Sequence, residues 1–237
     1  MDEPVIKPNK HNTNSEKSRL ERMRFKEHLW NTLMAPTYII NHEKEQKFML
    51  CKPGVWHHQA LRDYCENDGM NGCTVKGRQV YETSKKCLMM LHIARYMPGA
   101  ICMIDNMNHS SAEATLASRV VDVLKQTFPG IAKNTAICSI SANRLLFKRK
   151  EGAGGDSAVY AGKTKGRGAT PFMTLFTEFP QVCATDPERA REHLDGTVSG
   201  AQFASHFLEG TASHLASGSQ MNTIMEKAVE RQRSGIK

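Results

Sequence analysis

The feature that most constrains the fold is a short apolar run followed by a segment with helical periodicity, a succession that occurs twice. GCTV (72–75) precedes SKKCLMMLHIARYM (84–97), and AICMID (100–105) precedes SSAEATLASRVVDVLKQTF (110–128). Each helical segment stops before a Pro-Gly pair, which is a strong stop signal. Strands that alternate with helices form parallel sheets whose faces the helices cover. The order therefore predicts an α/β fold with a mostly parallel sheet flanked by helices.

The second half of the chain predicts a β-hairpin, two more strands and two helices. The hairpin comes from two strand-like segments that flank a glycine-rich turn, RLLFKRK–EGAGGD–SAVYAG (144–162). Two apolar strands follow, and each ends in polar residues. The strands are TPFMTLFTEF (170–179) and AQFASHFLEGTAS (201–213), and the helices are DPERAREHLDGTV (186–198) and NTIMEKAVERQRSGIK (222–237).

The N-terminal quarter gives weaker signals. Residues 1–14 are polar and contain two prolines, which predicts disorder. Residues 15–34 carry apolar side chains near helical spacing and predict either a solvated amphipathic helix or an arm that binds DNA or a partner. Residues 55–69 predict a short helix. We expect residues 15–237 to form one domain.

Charge and cysteine content narrow the class of protein. The net charge is +8 and the pI is about 9.2, which favours polyanionic partners such as nucleic acid. Seven cysteines are scattered without a CxxC pair, which indicates neither a zinc ribbon nor a disulfide framework. Reduced thiols in a cytosolic protein are the simplest interpretation. No apolar run approaches the length of a membrane span.

The segment KGRQVYETS (76–84) joins a predicted strand to a predicted helix and is a candidate phosphate-binding loop. Such a turn directs backbone N–H groups and the positive end of the helix at an anion. Lys76 and Arg78 supply cations, and Thr83 or Ser84 supplies the hydroxyl that ligates magnesium in phosphate loops.

Two residues depart from the phosphate-loop pattern G-x-x-x-x-G-K-[ST]. Tyr81 has a side chain where glycine allows close backbone approach. Glu82 places a carboxylate beside the phosphates, and like charges in a confined site repel each other. We therefore expect Glu82 to oppose nucleotide binding.

The two later strands end in residues that could serve this loop. Glu178 closes an apolar strand, where it could orient the water that attacks a phosphate, or could be an ordinary surface glutamate. Thr177 stands where an aspartate often contacts magnesium through water. The strand FLEGTAS ends near Thr211.

In this order, the segments resemble the N-terminal ATPase domain of the large terminase subunit of tailed bacteriophages, the motor that drives DNA into capsids. The resemblance spans roughly residues 50 to 215. It is carried by KGRQV, GAICMIDNMNHSSAEATLASRV, GRGATPFMTLFTEFPQVCATDPERAREHLDGTV and FLEGTAS.

The resemblance implies a P-loop NTPase-like fold and a role for each matching residue. Arg78 would contact phosphate or stabilise charge in the transition state, Glu178 would position the attacking water, and Thr211 would sense the γ-phosphate. Thr83 or, in a shifted alignment, Ser84 would ligate Mg²⁺. The implied nucleotide-binding residues are Lys76, Gly77, Arg78, Gln79, Val80, Tyr81, Glu82, Thr83 and Ser84, with Gln59 recognising adenine.

The resemblance also implies cofactors and partners. The cofactors are ATP and Mg²⁺, and the partners are double-stranded DNA, the small terminase subunit and the portal. The implied location is the cytoplasm of a bacterial host, and the resemblance leaves open whether the chain forms a homo-oligomer. Full terminases carry a C-terminal nuclease domain, which we do not expect here because the sequence ends soon after Thr211. Tyr81 and Glu82 favour an alternative, a degenerate pseudo-ATPase that binds DNA or motor components and regulates packaging.

Basic residues on both sides of the predicted hairpin are candidates for contact with the DNA backbone. The alternative is a solvated charged hairpin. Charge alone would also allow a generic basic DNA-binding α/β domain. The candidate residues are Arg144, Lys148, Arg149 and Lys150 on one side and Lys163, Lys165 and Arg167 on the other.

Overall fold

The computed structural model describes residues 37–41, 47–51, 72–76, 82–149, 155–162, 171–198, 204–211 and 220–234. The predicted disorder at 1–14 and the helices predicted at 15–34 and 55–69 lie outside the described residues. Strands β1 (Thr37–Asn41) and β2 (Lys47–Cys51) pair antiparallel as a separate two-stranded sheet, which the sequence pattern did not predict.

A seven-stranded sheet forms the centre of the described fold, with the order β3-β9-β8-β4-β7-β6-β5. The first five strands in that order run parallel, and β6 and β5 are antiparallel to their neighbours. The predicted α/β class, with a mostly parallel sheet and a β-hairpin, is confirmed. The strands are β3 (Gly72–Lys76), β4 (Ile101–Asp105), β5 (Cys138–Ser141), β6 (Arg144–Phe147), β7 (Ser157–Ala161), β8 (Met173–Phe176) and β9 (Ser205–Thr211).

The described helices begin and end close to the sequence signals. Asn108 accepts a hydrogen bond from the Ser111 backbone N–H, which caps the helix after β4. The predicted stop at Pro129 is confirmed, yet this proline also opens another short helix, because proline fits the first helical turn. The helices are α1 (Glu82–Tyr96), α2 (His109–Leu116), α3 (Asp122–Thr127), α4 (Pro129–Lys133), α5 (Phe179–Thr185), α6 (Pro187–Glu192) and α7 (Gln220–Arg233).

Two π-helical segments interrupt this regular pattern. Ala117–Val121 joins α2 to α3, and His193–Val198 follows α6. Wider π-turns of this kind redirect the side chains that follow them. The first segment directs Arg119 at helix α1, where its Nη1 lies 2.8 Å from the Ser84 hydroxyl oxygen.

The core lies on both faces of the sheet. One hydrophobic cluster joins α1, α2 and α3 to the sheet, and the other joins α5, α6 and α7 to it. Successive strand residues alternate between these clusters, as Phe207 and Leu208 of β9 do. Helix α1 is buried around most of its circumference. Even its residues Lys85 and Lys86 are only 5% and 4% exposed. Such buried cations require partners, and those partners define the site below.

Candidate functional site

The structure describes the strand before the predicted strand-to-helix turn and the helix after it. Strand β3 ends at Lys76 and helix α1 begins at Glu82, with β9 as the parallel neighbour of β3. The residues that connect them lie outside the described part of the chain, as does the candidate adenine-recognising Gln59. The connecting residues are Gly77, Arg78, Gln79, Val80 and Tyr81.

Lys76 and Thr83 meet at this junction. The Lys76 ammonium donates a hydrogen bond to the Thr83 Oγ1 at 2.8 Å. The Thr83 hydroxyl in turn donates to Oε1 of Glu209, and the Lys76 Nζ lies 3.5 Å from the same carboxylate oxygen. In the ladder between β3 and β9, Lys76 stands opposite Thr211 and Thr74 opposite Glu209. One carboxylate on β9 therefore joins the end of β3 to the first turn of α1.

Lys86 completes this buried polar cluster. Its Nζ lies 3.2 Å from Glu209 Oε2 and 3.1 Å from Glu82 Oε1, and it donates to the Thr74 hydroxyl at 3.0 Å. The Glu209 residue is only 1% exposed. Two lysines and two glutamates leave no net formal charge in the cluster, which is how buried charges are tolerated in protein interiors. The lysine–carboxylate cluster, as we call it, consists of Thr74, Lys76, Glu82, Thr83, Lys86 and Glu209.

Glu82 and Ser84 both have partners inside the fold. Glu82, which the sequence leads us to expect to oppose phosphate, is 6% exposed and forms an ion pair with Lys86, one helical turn later. Ser84 is buried and accepts a hydrogen bond from Arg119. Of the two candidate magnesium ligands, Thr83 is therefore the hydroxyl that lies beside Lys76.

Glu178 follows strand β8 in an unusual backbone conformation. Its φ of 57° and ψ of 28° are left-handed, and among the described non-glycine residues it alone has a positive φ. A non-glycine residue in this region costs about 1–3 kcal/mol, and such strain concentrates at functional sites. Glu178 is half-buried and stands at the N-cap of α5, and its side chain makes no capping hydrogen bond.

Gly210 of β9 permits this turn to pack closely against the sheet. A Cβ atom at Gly210 would lie 2.3 Å from the Pro180 Cδ and 3.5 Å from the Glu178 Cα. In the ladder, Gly210 is paired with Val75 of β3, next to Lys76. Glu178 and Lys76 therefore lie at the same carboxyl edge of the sheet, on strands separated by β9 alone. Two strand spacings correspond to about 10 Å.

A second buried polar group lies at the end of β4, where the sequence gave no prediction. The Arg189 guanidinium donates to Asp105 Oδ1 at 2.7 Å and also to the backbone carbonyls of Asn106 and Met107. The Thr177 hydroxyl donates to the Asp105 backbone carbonyl at 3.2 Å. Burial, followed by the nearby charges of His206 and Arg189, lowers the pKa of His193 to about 3, so that this imidazole beside Asp105 is neutral. These contacts fix the turn after β4 to helix α6.

The predicted basic hairpin occupies the opposite end of the sheet. Strand β6 lies five strand spacings from β3, which corresponds to about 24 Å. Lys148 is exposed, and its Nζ donates to the Thr135 carbonyl at 2.9 Å; Arg144 is half-buried. The other candidate DNA contacts Lys150, Lys163, Lys165 and Arg167 lie outside the described residues.

Arg149, one of the candidate DNA contacts, points into the fold. Its Nη2 lies 2.9 Å and 2.6 Å from the carbonyl oxygens of Ala94 and Arg95 and 3.0 Å from the Ser157 hydroxyl. Burial lowers the pKa of this guanidinium, although Asp156 opposes that effect. Arg149 thus satisfies carbonyl groups at the C-terminal end of α1, where a cation also interacts favourably with the helix dipole.

Sequence reasoning missed Glu209 and Lys86, which contribute most of the contacts in the lysine–carboxylate cluster. Both left a signal. Glu209 is a charged residue directly after the apolar pair Phe207 and Leu208 of a predicted strand, and Lys86 stands four residues after Glu82 on a predicted helix, the spacing of a helical ion pair. Neither signal identifies the partner across the sheet.

Together these features define an α/β domain with a candidate anion-binding site where β3 passes into α1. No protein-family profile and no curated protein matches the chain. Among solved structures, the large terminase ATPase domain of Thermus phage P74-26 aligns with a TM-score of 0.43 and 17% identity, over 60% of this chain and 59% of that one. A mutant of the same domain aligns with a TM-score of 0.43 and 16% identity, over 65% of this chain and 63% of that one. The chain thus spans about three-fifths of these domains, and its α/β class rests on its own sheet order.

Membrane insertion is not indicated by the helices of the fold. Within the described ranges, none of them combines the length and the apolar character needed to cross a bilayer.

Proposed function

We propose that this chain binds ATP and Mg²⁺ where β3 passes into α1 and hydrolyses the nucleotide, as the ATPase domain of a phage terminase large subunit that moves viral DNA into the capsid. The observation that carries the proposal is the meeting of an ammonium and a hydroxyl, Lys76 Nζ and Thr83 Oγ1, 2.8 Å apart at a strand-to-helix junction. Parallel α/β sheets bind their ligands at this carboxyl edge.

The residues at the junction fit a magnesium nucleotide. Lys76 would contact the β- and γ-phosphates, and Thr83 would offer its hydroxyl oxygen to Mg²⁺. The first turn of α1 would add backbone N–H groups and the positive end of the helix dipole. When bound, Mg²⁺ would neutralise negative charge on the phosphate oxygens.

Glu178 and Thr211 would serve the reacting end of the nucleotide. The Glu178 carboxylate would orient the attacking water. Its left-handed backbone and the close approach of Gly210 support this role, because strain is retained where the surrounding structure and function require it. Thr211 is paired with Lys76 across the ladder, a position from which it would contact the γ-phosphate.

The terminase assignment and its partners rest on the ordered resemblance described for the sequence and on the basic composition. Double-stranded DNA would meet exposed cations such as Lys148, with half-buried Arg144 beside it on the hairpin. The small terminase subunit and the portal would be further partners, in the cytoplasm of a bacterial host.

One observation favours the alternative of a pseudo-ATPase that regulates packaging. The first turn of α1 contains a buried carboxylate, Glu82, where a phosphate loop usually has a residue without negative charge. Its pairing with Lys86 at 3.1 Å reduces the repulsion of phosphate, which is why we place hydrolysis first.

The two functions are separated by measuring ATP binding calorimetrically with Mg²⁺ and phosphate release with and without double-stranded DNA. We expect saturable ATP binding and hydrolysis that DNA stimulates. Binding without hydrolysis would support the pseudo-ATPase instead. Absence of ATP binding by the intact chain would refute the proposed ATPase and leave the pseudo-ATPase.

A further inference from the structure

Glu209 already occupies the two groups that the proposed function assigns to the nucleotide. Its Oε1 accepts a hydrogen bond from the Thr83 hydroxyl and lies 3.5 Å from the Lys76 ammonium. Its Oε2 lies 3.2 Å from Lys86. The carboxylate is 1% exposed, so it is held in this position rather than sampling solvent.

A carboxylate and a phosphate accept hydrogen bonds from the same donors, so the two anions compete for them. Both are anions that accept hydrogen bonds from an ammonium and a hydroxyl. Two anions brought within about 4 Å of each other in a poorly solvated site repel strongly. A nucleotide phosphate that reaches Lys76 and Thr83 must therefore displace Glu209 Oε1 from them.

We propose that Glu209 is an internal competitor of phosphate, a carboxylate latch that holds Lys76 and Thr83 in the nucleotide-free protein and is displaced by a nucleoside di- or triphosphate. The inference rests on the proposed function, because it concerns the same site. Glu209 is thereby a positioning residue, which acts on the nucleotide through Lys76 and Thr83.

The contacts of the second carboxylate oxygen explain how the latch can open without leaving a buried charge unpaired. When Oε1 gives up Lys76 and Thr83, Oε2 keeps its ion pair with Lys86, which also holds Glu82 at 3.1 Å. Phosphate replaces the negative charge that Lys76 loses. Glu209 therefore keeps a counterion after the exchange, and it then shares Lys86 with Glu82.

The position of Glu209 on β9 links the latch to the rest of the carboxyl edge. Gly210 follows it and packs against the turn that carries Glu178, and Thr211 stands opposite Lys76. Displacement of Glu209 would therefore shift β9, the strand that lies between Lys76 on β3 and the turn that carries Glu178. Glu82 and Glu209 both pair with Lys86, but the contacts with Lys76 and Thr83 are made by Glu209, so we assign the inhibitory contact to Glu209.

The test compares nucleotide affinity in the intact chain and in Glu209→Gln, which keeps the shape of the side chain and removes its charge. Titration calorimetry with Mg²⁺ and either ATP or ADP should give a dissociation constant lower by roughly tenfold in the variant, since a charge-assisted contact no longer competes. Glu113→Gln on helix α2 removes the same charge away from the cluster, where Glu113 pairs with His109. This control should leave the dissociation constant within about twofold, because solvent and salt screen distant charges.

A second variant and a second measurement guard against misfolding. Glu209→Asp keeps the charge but shortens the side chain, so its affinity for ATP should fall between those of the other two proteins. In thermal denaturation, Glu209→Gln should melt at a lower temperature than the intact chain without nucleotide, because Lys76 loses its counterion. It should gain more from saturating ATP, since tighter binding stabilises the folded state more.

The outcomes separate the latch from the function on which it rests. If the intact chain binds ATP and folded Glu209→Gln binds it equally or more weakly, the latch is wrong and the nucleotide site stands. If neither protein binds ATP or ADP, the proposed function fails and the latch fails with it. If Glu209→Gln does not fold, Glu209→Asp decides, and affinity no higher than that of the intact chain overturns the latch.

Discussion

The two ends of the central sheet use the same charged residue types in opposite ways. At the β3–β9–β8 end, two parallel strands and helix α1 bring Lys76, Glu82, Lys86 and Glu209 together in a cluster with no net formal charge. At the β6–β5 end, antiparallel strands carry cations that either face solvent, as Lys148 does, or cap a helix, as Arg149 does. Burying ion pairs seldom stabilises a fold by itself. The comparison therefore points to function at the parallel end, where charged side chains are buried together. At the antiparallel end, it points to a role of the cations in stability or in nonspecific attraction.

The largest effect should come from Glu178→Gln at the parallel end. Removing the carboxylate that orients water should lower the rate of ATP hydrolysis by about 10²–10⁴-fold, because proton transfer and water positioning contribute this much in general acid–base catalysis. ATP affinity should be little changed. Single-turnover hydrolysis together with calorimetric binding checks the prediction, and Glu188→Gln, an exposed glutamate on α6, is the control. Hydrolysis that persists at the rate of the intact chain would remove Glu178 from the site.

Arg149→Ala should show that the antiparallel end uses this cation for stability. Loss of the hydrogen bonds to the Ala94 and Arg95 carbonyls should lower the free energy of unfolding by about 2–3 kcal/mol. Chemical denaturation measures this loss. Arg149→Lys keeps the charge but not the planar fork of donors, and it should recover only part of the stability. Full recovery by lysine, or a loss of DNA affinity without a loss of stability, would contradict the helix-capping role.

Lys76→Ala should weaken ATP binding at the parallel end. The loss should be about 1.5–3 kcal/mol, the typical contribution of a hydrogen bond to a charged group. Calorimetric titration with Mg²⁺ and ATP measures it, and Lys125→Ala on α3, where the lysine pairs with Asp122 near solvent, provides the control. Equal ATP affinity in Lys76→Ala and in the intact chain would exclude Lys76 from nucleotide binding.

The smallest effect should come from the exposed hairpin. If Arg144 and Lys148 contact phosphates of duplex DNA, the logarithm of the binding constant should fall with the logarithm of salt concentration by about 0.9 per contact. Replacing both residues with glutamine should therefore reduce the magnitude of the slope by about 1.8. Binding to duplex DNA over a range of salt concentrations measures the slope. An unchanged slope would assign both side chains to a solvated surface with no role in DNA binding.

Most of the secondary structure could be predicted because its signals are local. The Pro-Gly pairs after α1 and α3, the apolar runs of β3, β4, β8 and β9, and the turn between β6 and β7 each depend on a few neighbouring residues. The strands β1, β2 and β5 were not predicted, and each is a run of only four or five residues. The strand-to-helix position of Lys76 and Thr83 followed from the same local signals.

The sequence by itself determined most of the segments that become strands and helices, and it placed a cation and a hydroxyl on either side of one turn. Only the tertiary structure decided that β9 lies between β3 and β8, which brings Glu209 to Lys76 and Gly210 to Glu178. It also decided that Lys86 meets Glu209 and that Arg149 turns inward. The contacts of Glu209 join residues more than a hundred positions apart, and local periodicity is independent of such contacts.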